Sequence, residues 1–152
     1  VRVLVCGGRD FADYVHVARV LDALHAAEPI TLVIHGDARG ADTLAKRWAL
    51  ARAITQLPFP AKWATHGSAA GMIRNRAMLA KGRPDLVVAF MGGRGTANMV
   101  AIARDARPPV PVLVPCDLCE GLADDRGPGC SCMHAPCVHD LTRGPNDPVR
   151  NL

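Results

Sequence analysis

Glycine, arginine and aspartate gather at three points in this chain, each directly behind a short apolar run. Val3-Leu4-Val5-Cys6 leads into Gly7-Gly8-Arg9-Asp10, and Leu32-Val33-Ile34 leads into His35-Gly36-Asp37-Ala38-Arg39-Gly40-Ala41-Asp42. Leu86-Val87-Val88-Ala89-Phe90 leads into Gly92-Gly93-Arg94-Gly95-Thr96. Glycine lets the backbone approach a ligand closely, and a helix start behind such a turn presents free N–H groups to an anion. An arginine in each turn adds a forked, permanent positive charge. In the third turn, successive N–H groups and the Thr96 hydroxyl would cradle a phosphate at the positive end of a helix. It is not a P-loop, because no Lys-Ser/Thr pair follows the glycines, and Asn98 stands where a dinucleotide fingerprint has its third glycine. One such turn would read as a bare strand–helix connection; three together imply a site for a phosphorylated small molecule.

Other residues could act on such a ligand. Arg74 can grip a phosphate bidentately if it points into the crevice, whereas Arg76 reads as a solvated helix position. Asn75 could orient a base or ribose, or satisfy backbone groups. Cleavage of an N-glycosidic bond needs a carboxylate to activate water or to stabilise an oxocarbenium-like ribose, and Asp10 and Asp42 are the candidates. Against that role, Asp10 or Asp13 could cap the first helix, and Asp42 could stabilise the start of the second. His35 could be an acid–base group or a hydrogen-bonded structural residue at a strand end.

A separate chemistry lies towards the end of the chain. Cys116-x-x-Cys119, Cys130-x-Cys132 and Cys137-x-His139 bring together more soft ligands than one metal needs, with knuckle spacing in the first pair. Structural zinc is favoured over disulfides, unpaired thiols or an iron–sulfur cluster, with Cys116, Cys119, Cys132 and Cys137 as the first-choice ligands and Cys130 and His139 as competitors. No organic cofactor is expected. Cys6 reads as a small buried hydrophobe.

These residues need elements to hold them. Strands are expected over residues 1–6, 30–34, 54–59, 86–90 and 110–114. Helices are expected over about 13–27 and 40–53, then through Ile73, Ala77 and Leu79 up to Gly82, and over about 96–105. Leu44, Trp48 and Ala51 are expected to share the buried face of the second helix, and a loop is expected through Gly67 and Gly71. Strands alternating with helices make an α/β fold, a Rossmann-like three-layer sandwich on a mainly parallel five-stranded sheet. The right-handed crossover rule then gathers the glycine turns at one sheet edge. Composition shifts at Pro115, which divides the chain into a domain over 1–115, a Cys/His-rich appendage over 116–139 and a tail over 140–152.

The motifs Gly7-Gly8-Arg9-Asp10, His35-Gly36 with Gly40-Ala41-Asp42, Arg74-Asn75-x-x-Met78 and Gly92-Gly93-Arg94-Gly95-Thr96 resemble the YspA-type branch of the SLOG superfamily. That superfamily also holds the Lonely Guy phosphoribohydrolases and the DNA-processing protein A family. The resemblance covers about residues 1–114 and implies a Rossmann-like fold with a nucleotide or nucleotide-derived ligand at the strand edge. In Lonely Guy enzymes a glutamate behind the glycine turn serves in cleaving the base–ribose bond; Met99 stands at that position here, while the matching upstream arginine is present as Arg74. The resemblance also implies a homo-oligomer. The reading that follows is a nucleotide-derivative binder with phosphoribohydrolase-like N-glycosidic hydrolysis. A non-catalytic nucleotide sensor in signalling or phage defence, and a single-stranded DNA-binding module, are the alternatives.

Composition narrows these classes. Hydrophobic residues make up 49% of 152 residues and aromatics only 4%, which suits an aliphatic parallel-sheet core better than an aromatic platform for single strands. The formal charge of +4 comes without a basic run, so nucleic acid is permitted but not favoured. The first residues are too short for a signal peptide, and no apolar stretch approaches the roughly 20 residues of a membrane helix. The expectation is a soluble, cytoplasmic protein.

Overall fold

The computed structural model describes residues 1–115. The six expected metal ligands, Cys116, Cys119, Cys130, Cys132, Cys137 and His139, lie outside the described residues, as do the appendage and tail.

The elements run β1 (Arg2–Cys6), α1 (Tyr14–Ala27), β2 (Leu32–His35), α2 (Ala41–Ala51), β3 (Thr55–Pro58), α3 (Trp63–His66), a 3-10 turn (Gly67–Ala69), α4 (Ala70–Gly82), β4 (Leu86–Ala89), α5 (Arg94–Asp105) and β5 (Val112–Leu113). The strands form one sheet in the order β3-β2-β1-β4-β5, and all four pairings are parallel. Parallel neighbours force each connection to cross a face of the sheet, which is why a helix follows each of the first four strands.

Side chains alternate faces along each strand. Val3 and Val5 pack with Val17, Val20, Leu21 and Leu24 of α1 and Ala41, Ala45, Trp48 and Ala49 of α2. Leu4 and Cys6 face the other way, onto Met78 of α4 and Met99 and Ala103 of α5. The sheet is thus covered on both sides, as an aliphatic run without alternation requires.

Three expectations need correction. Ala51 is exposed; the buried face of α2 is Ala41, Ala45, Trp48 and Ala49, whose i, i+4, i+7, i+8 spacing keeps one side, with Ala51 about 105° away from its centre. The expected loop through Gly67 and Gly71 is largely helical: α3, the 3-10 turn and α4 follow one another without a break. Gly71 sits in the first turn of α4, does not break the helix, and a Cβ there would meet the Trp63 ring at an ordinary contact distance of 3.5 Å. Finally, β5 keeps only two residues, because Pro109 and Pro111 remove backbone donors just before it. Asp13 caps α1, its Oδ1 accepting from the His16 N–H at 2.8 Å.

Candidate functional site

The chain order reverses beside β1: β2 and β3 are laid to one side, β4 and β5 to the other. At such a switch point the loops behind the two central strands diverge and leave a crevice at the carboxyl ends. The Gly7-Gly8 turn behind β1 and the turn behind β4 flank it. A cleft of about 600 Å³ opens there.

Backbone contacts sew the three glycine turns together. The Gly8 N–H donates to the Met91 carbonyl at 2.8 Å, and the Gly8 carbonyl accepts from the Ala41 N–H at 3.2 Å. Gly40, at φ +83°, has no room for a side chain because its Cα faces the Gly8 and Arg9 backbone. Gly92 presses on Gly8 and Thr96 in the same way, and a Cβ on Gly7 would meet that of Ala41 at 2.6 Å. Internal packing therefore accounts for Gly7, Gly40 and Gly92. Gly93 and Gly95 are different, since a Cβ on either would meet nothing within 4 Å. Gly93 is nevertheless the N-cap of α5 and Gly95 lies in its first turn, with Arg94 between them and no side-chain cap.

The cleft floor is polar. Asp42 is 6% exposed, and its Oδ2 accepts from the N–H groups of Gly36 at 3.0 Å and Ala38 at 3.3 Å. The Arg74 guanidinium lies 3.6 Å from the same oxygen. Oδ1 has no hydrogen bond among the described residues. A Cβ on Gly36 would fall on the Arg74 guanidinium, so glycine there is what lets the arginine reach across. Arg74 Nε donates to Asn75 Oδ1 at 3.1 Å, and Asn75 Nδ2 donates to the Gly95 carbonyl and to Asn98 Oδ1, both at 3.0 Å. A chain of contacts thus ties the start of α2 to the start of α5 through α4.

Burial pushes the Asp42 carboxyl above the usual range, opposed by Arg74 and the two N–H groups. Cys6 lines the same cleft; burial first, and the Asp42 charge second, push its thiol up to about 12, which keeps it protonated and unreactive.

The candidates fall into groups. Gly7, Gly8, Arg9, Asp42, Arg74, Asn75, Gly93, Arg94, Gly95 and Thr96 come together around the cleft. Gly36, Gly40 and Gly92 stand behind its lining. Asp10 lies away from the cleft on the surface, its Oδ1 paired with Arg39 at 2.8 Å, both side chains largely exposed. His35 has no solvent exposure and does not line the cleft; its Nδ1 accepts from the Asp37 N–H at 3.1 Å, and burial lowers its pKa. Met99, at the position of the Lonely Guy glutamate, is fully buried in the apolar layer with Met78 and Ala103. Val100 and Ile102 are partly buried against that layer.

Sequence reasoning missed Trp63. It is 48% exposed, lines the cleft, and carries the Arg9 guanidinium 4.9 Å from its ring centroid. A detectable signal existed: a lone tryptophan between Pro60 and Gly67, outside every periodic apolar segment of an aromatic-poor chain.

A doubly wound parallel sheet with a glycine-lined, arginine-rich cleft at its switch point defines a Rossmann-like ligand-binding protein. The profile of the YspA, cpYpsA-related SLOG family matches residues 1–66. The chain is also 38% identical over 117 residues to the Gene 61 protein of Mycobacterium phage D29, covering 72% of this chain and 93% of that protein. This protein belongs to the YspA, cpYpsA-related SLOG family. Membership makes binding of nucleotide-type ligands its general functional class. No solved structure matches the chain significantly. Among the described residues, no helix is long and apolar enough to cross a membrane.

Proposed function

We propose that the cleft binds a nucleotide or nucleotide-derived phosphorylated ligand, with its phosphate on the first turn of α5. The observation that carries this reading is the open backbone at Gly93 and Gly95. Neither glycine is required by packing, and a glycine inside the helix, as at Gly95, costs about 0.5–1 kcal/mol relative to alanine. That cost is explained if a phosphate must approach the N–H groups closely. Arg94 and Arg9, which line the cleft and have no carboxylate partner among the described residues, supply charge at its mouth. Titration calorimetry with AMP and with ribose 5-phosphate tests the reading. Micromolar binding that weakens steeply with salt is expected, and no heat from either ligand refutes it.

Asp42 favours a second, finer reading, N-glycosidic hydrolysis. Its free Oδ1 at the cleft floor suits a carboxylate that takes a proton from water as the water oxygen bonds to ribose C1′. The C1′–N bond breaks as the C1′–O bond forms, the base leaves with that electron pair and takes a proton from solvent, and Asp42 returns its proton to solvent. Arg74 would hold Asp42 ionised against its burial. Chromatography of a nucleoside monophosphate panel separates turnover from sensing: free base released by the wild type and not by Asp42→Asn supports hydrolysis. Intact ligand retained by both supports a sensor, a reading favoured by the burial of Met99 where the Lonely Guy acid would stand.

A further inference from the structure

Of the six aromatic residues, Phe11, Tyr14, Trp48 and Phe90 pack in or against one core layer and Phe59 against the other. Trp63 belongs to neither, and α3, which it begins, has no buried residue. A half-exposed indole that adds nothing to the core is nevertheless held in place. Arg9 covers one side of the ring, its guanidinium carbon 4.9 Å from the centroid. A second depression of about 540 Å³, lined by Arg9, Ala38, Arg39 and Trp63, continues outward from the main cleft, sharing Arg9, Ala38 and Trp63 with it.

We propose that Trp63, with Arg9 stacked on it, is the platform for the ligand's base, so that the site takes a nucleotide with its base outward over Trp63 rather than a bare sugar phosphate. The inference rests on the phosphate reading above and adds an orientation to it. With phosphate at Gly93–Thr96 and base at Trp63, the ribose lies between them, over the Asp42–Arg74 floor. Bases stack on indoles and on guanidinium planes alike, and neither surface requires a particular base edge. Arg39 lines the outer depression with its guanidinium already paired to Asp10 at 2.8 Å, and Arg9 lies over the Trp63 ring, so neither is left wholly free for a second phosphate.

Calorimetry on the full chain compares AMP with ribose 5-phosphate in the wild type, Trp63→Ala and Trp63→Phe. The wild type is expected to prefer AMP by roughly ten- to a hundredfold, the usual yield of one stacked base. Trp63→Ala should lose most of that preference, with the loss falling on AMP, and Trp63→Phe should keep part of it. Trp48 is fully buried, so AMP should quench the fluorescence of Trp63 selectively, and the quench should vanish in Trp63→Phe. Trp63 lies outside both core layers, so its variants should fold. Equal affinities for the two ligands, or an AMP preference surviving in Trp63→Ala, overturn the platform and leave the phosphate site standing. Failure of the wild type to bind either ligand overturns both.

Discussion

Asp42 joins two properties seldom found together, a buried carboxylate and an open cleft. Its raised pKa has a consequence for stability that reverses the usual carboxylate pattern. Between the ordinary value, about 3.9, and the raised folded one, the native state binds more protons than the unfolded state. Stability from this group is therefore present in acid and is lost as pH rises through the folded value. His35 has the opposite sign: its lowered pKa gives stability that is present above about 6.5 and lost as pH falls through the folded value. Denaturant unfolding of the wild type and Asp42→Asn across both ranges isolates Asp42, because His35 is common to the two. The wild type is expected to lose stability relative to the variant as pH rises, and a pH-independent difference would refute this. Gly95 offers a second residue-scale test. Gly95→Ala meets no atom within 4 Å, so stability should rise by about 0.5–1 kcal/mol. AMP affinity should fall about tenfold, as for one lost hydrogen bond to a charged group. A stability gain with unchanged affinity would mean that no ligand approaches this turn.

At the scale of elements, α5 serves two purposes. Its first turn is open to the cleft, while Met99 and Ala103, one and two turns on, lie in the apolar layer beneath β4 and β1. Asn75 of α4 braces that first turn through the Gly95 carbonyl and Asn98. Restoring the Lonely Guy acid by Met99→Glu should therefore not restore chemistry. It would bury an unpaired carboxylate at a position with no solvent exposure, at a cost of about 3–5 kcal/mol. A large drop in the urea midpoint with no gain in base release is the expected result. A stable variant that releases base would show that the position can face the ligand.

For the molecule as a whole, two expectations concern assembly and metal content. Homo-oligomerisation, implied by the Lonely Guy resemblance, fits the exposed apolar side chains of Met72 and Ile73 on α4, which a second copy would cover. Sedimentation at micromolar concentration should give a species larger than 16.1 kDa, and a clean monomer would refute this. From spacing alone we propose that the Cys/His segment holds zinc. Metal analysis of the full chain should find about one zinc, and Cys119→Ser should lower the occupancy by removing a thiolate. Zinc-free folded protein with freely titrating thiols would count against it.

Much of the fold and part of the site were legible in the order of residues. Continuous Val/Leu/Ile runs, each ending in glycine, mark strands buried on both faces, and the helical spacing behind them marks the crossovers. Local chemistry of that kind is written in neighbours along the chain. The glycine turns could be placed at one edge because parallel strands leave no other arrangement. Tertiary structure decided what depends on residues far apart in sequence. The strand order put the reversal beside β1 and so opened the cleft between the first and third turns. It separated Asp42, on the floor beside Arg74, from Asp10, on the surface beside Arg39, although both aspartates follow glycine turns with the same local chemistry. It also divided the glycines into those that internal packing demands and those, Gly93 and Gly95, left open. Trp63 escaped sequence reasoning for the same reason. Its meaning lies in being the aromatic that packs in neither core layer, and that becomes visible only once both layers are assembled.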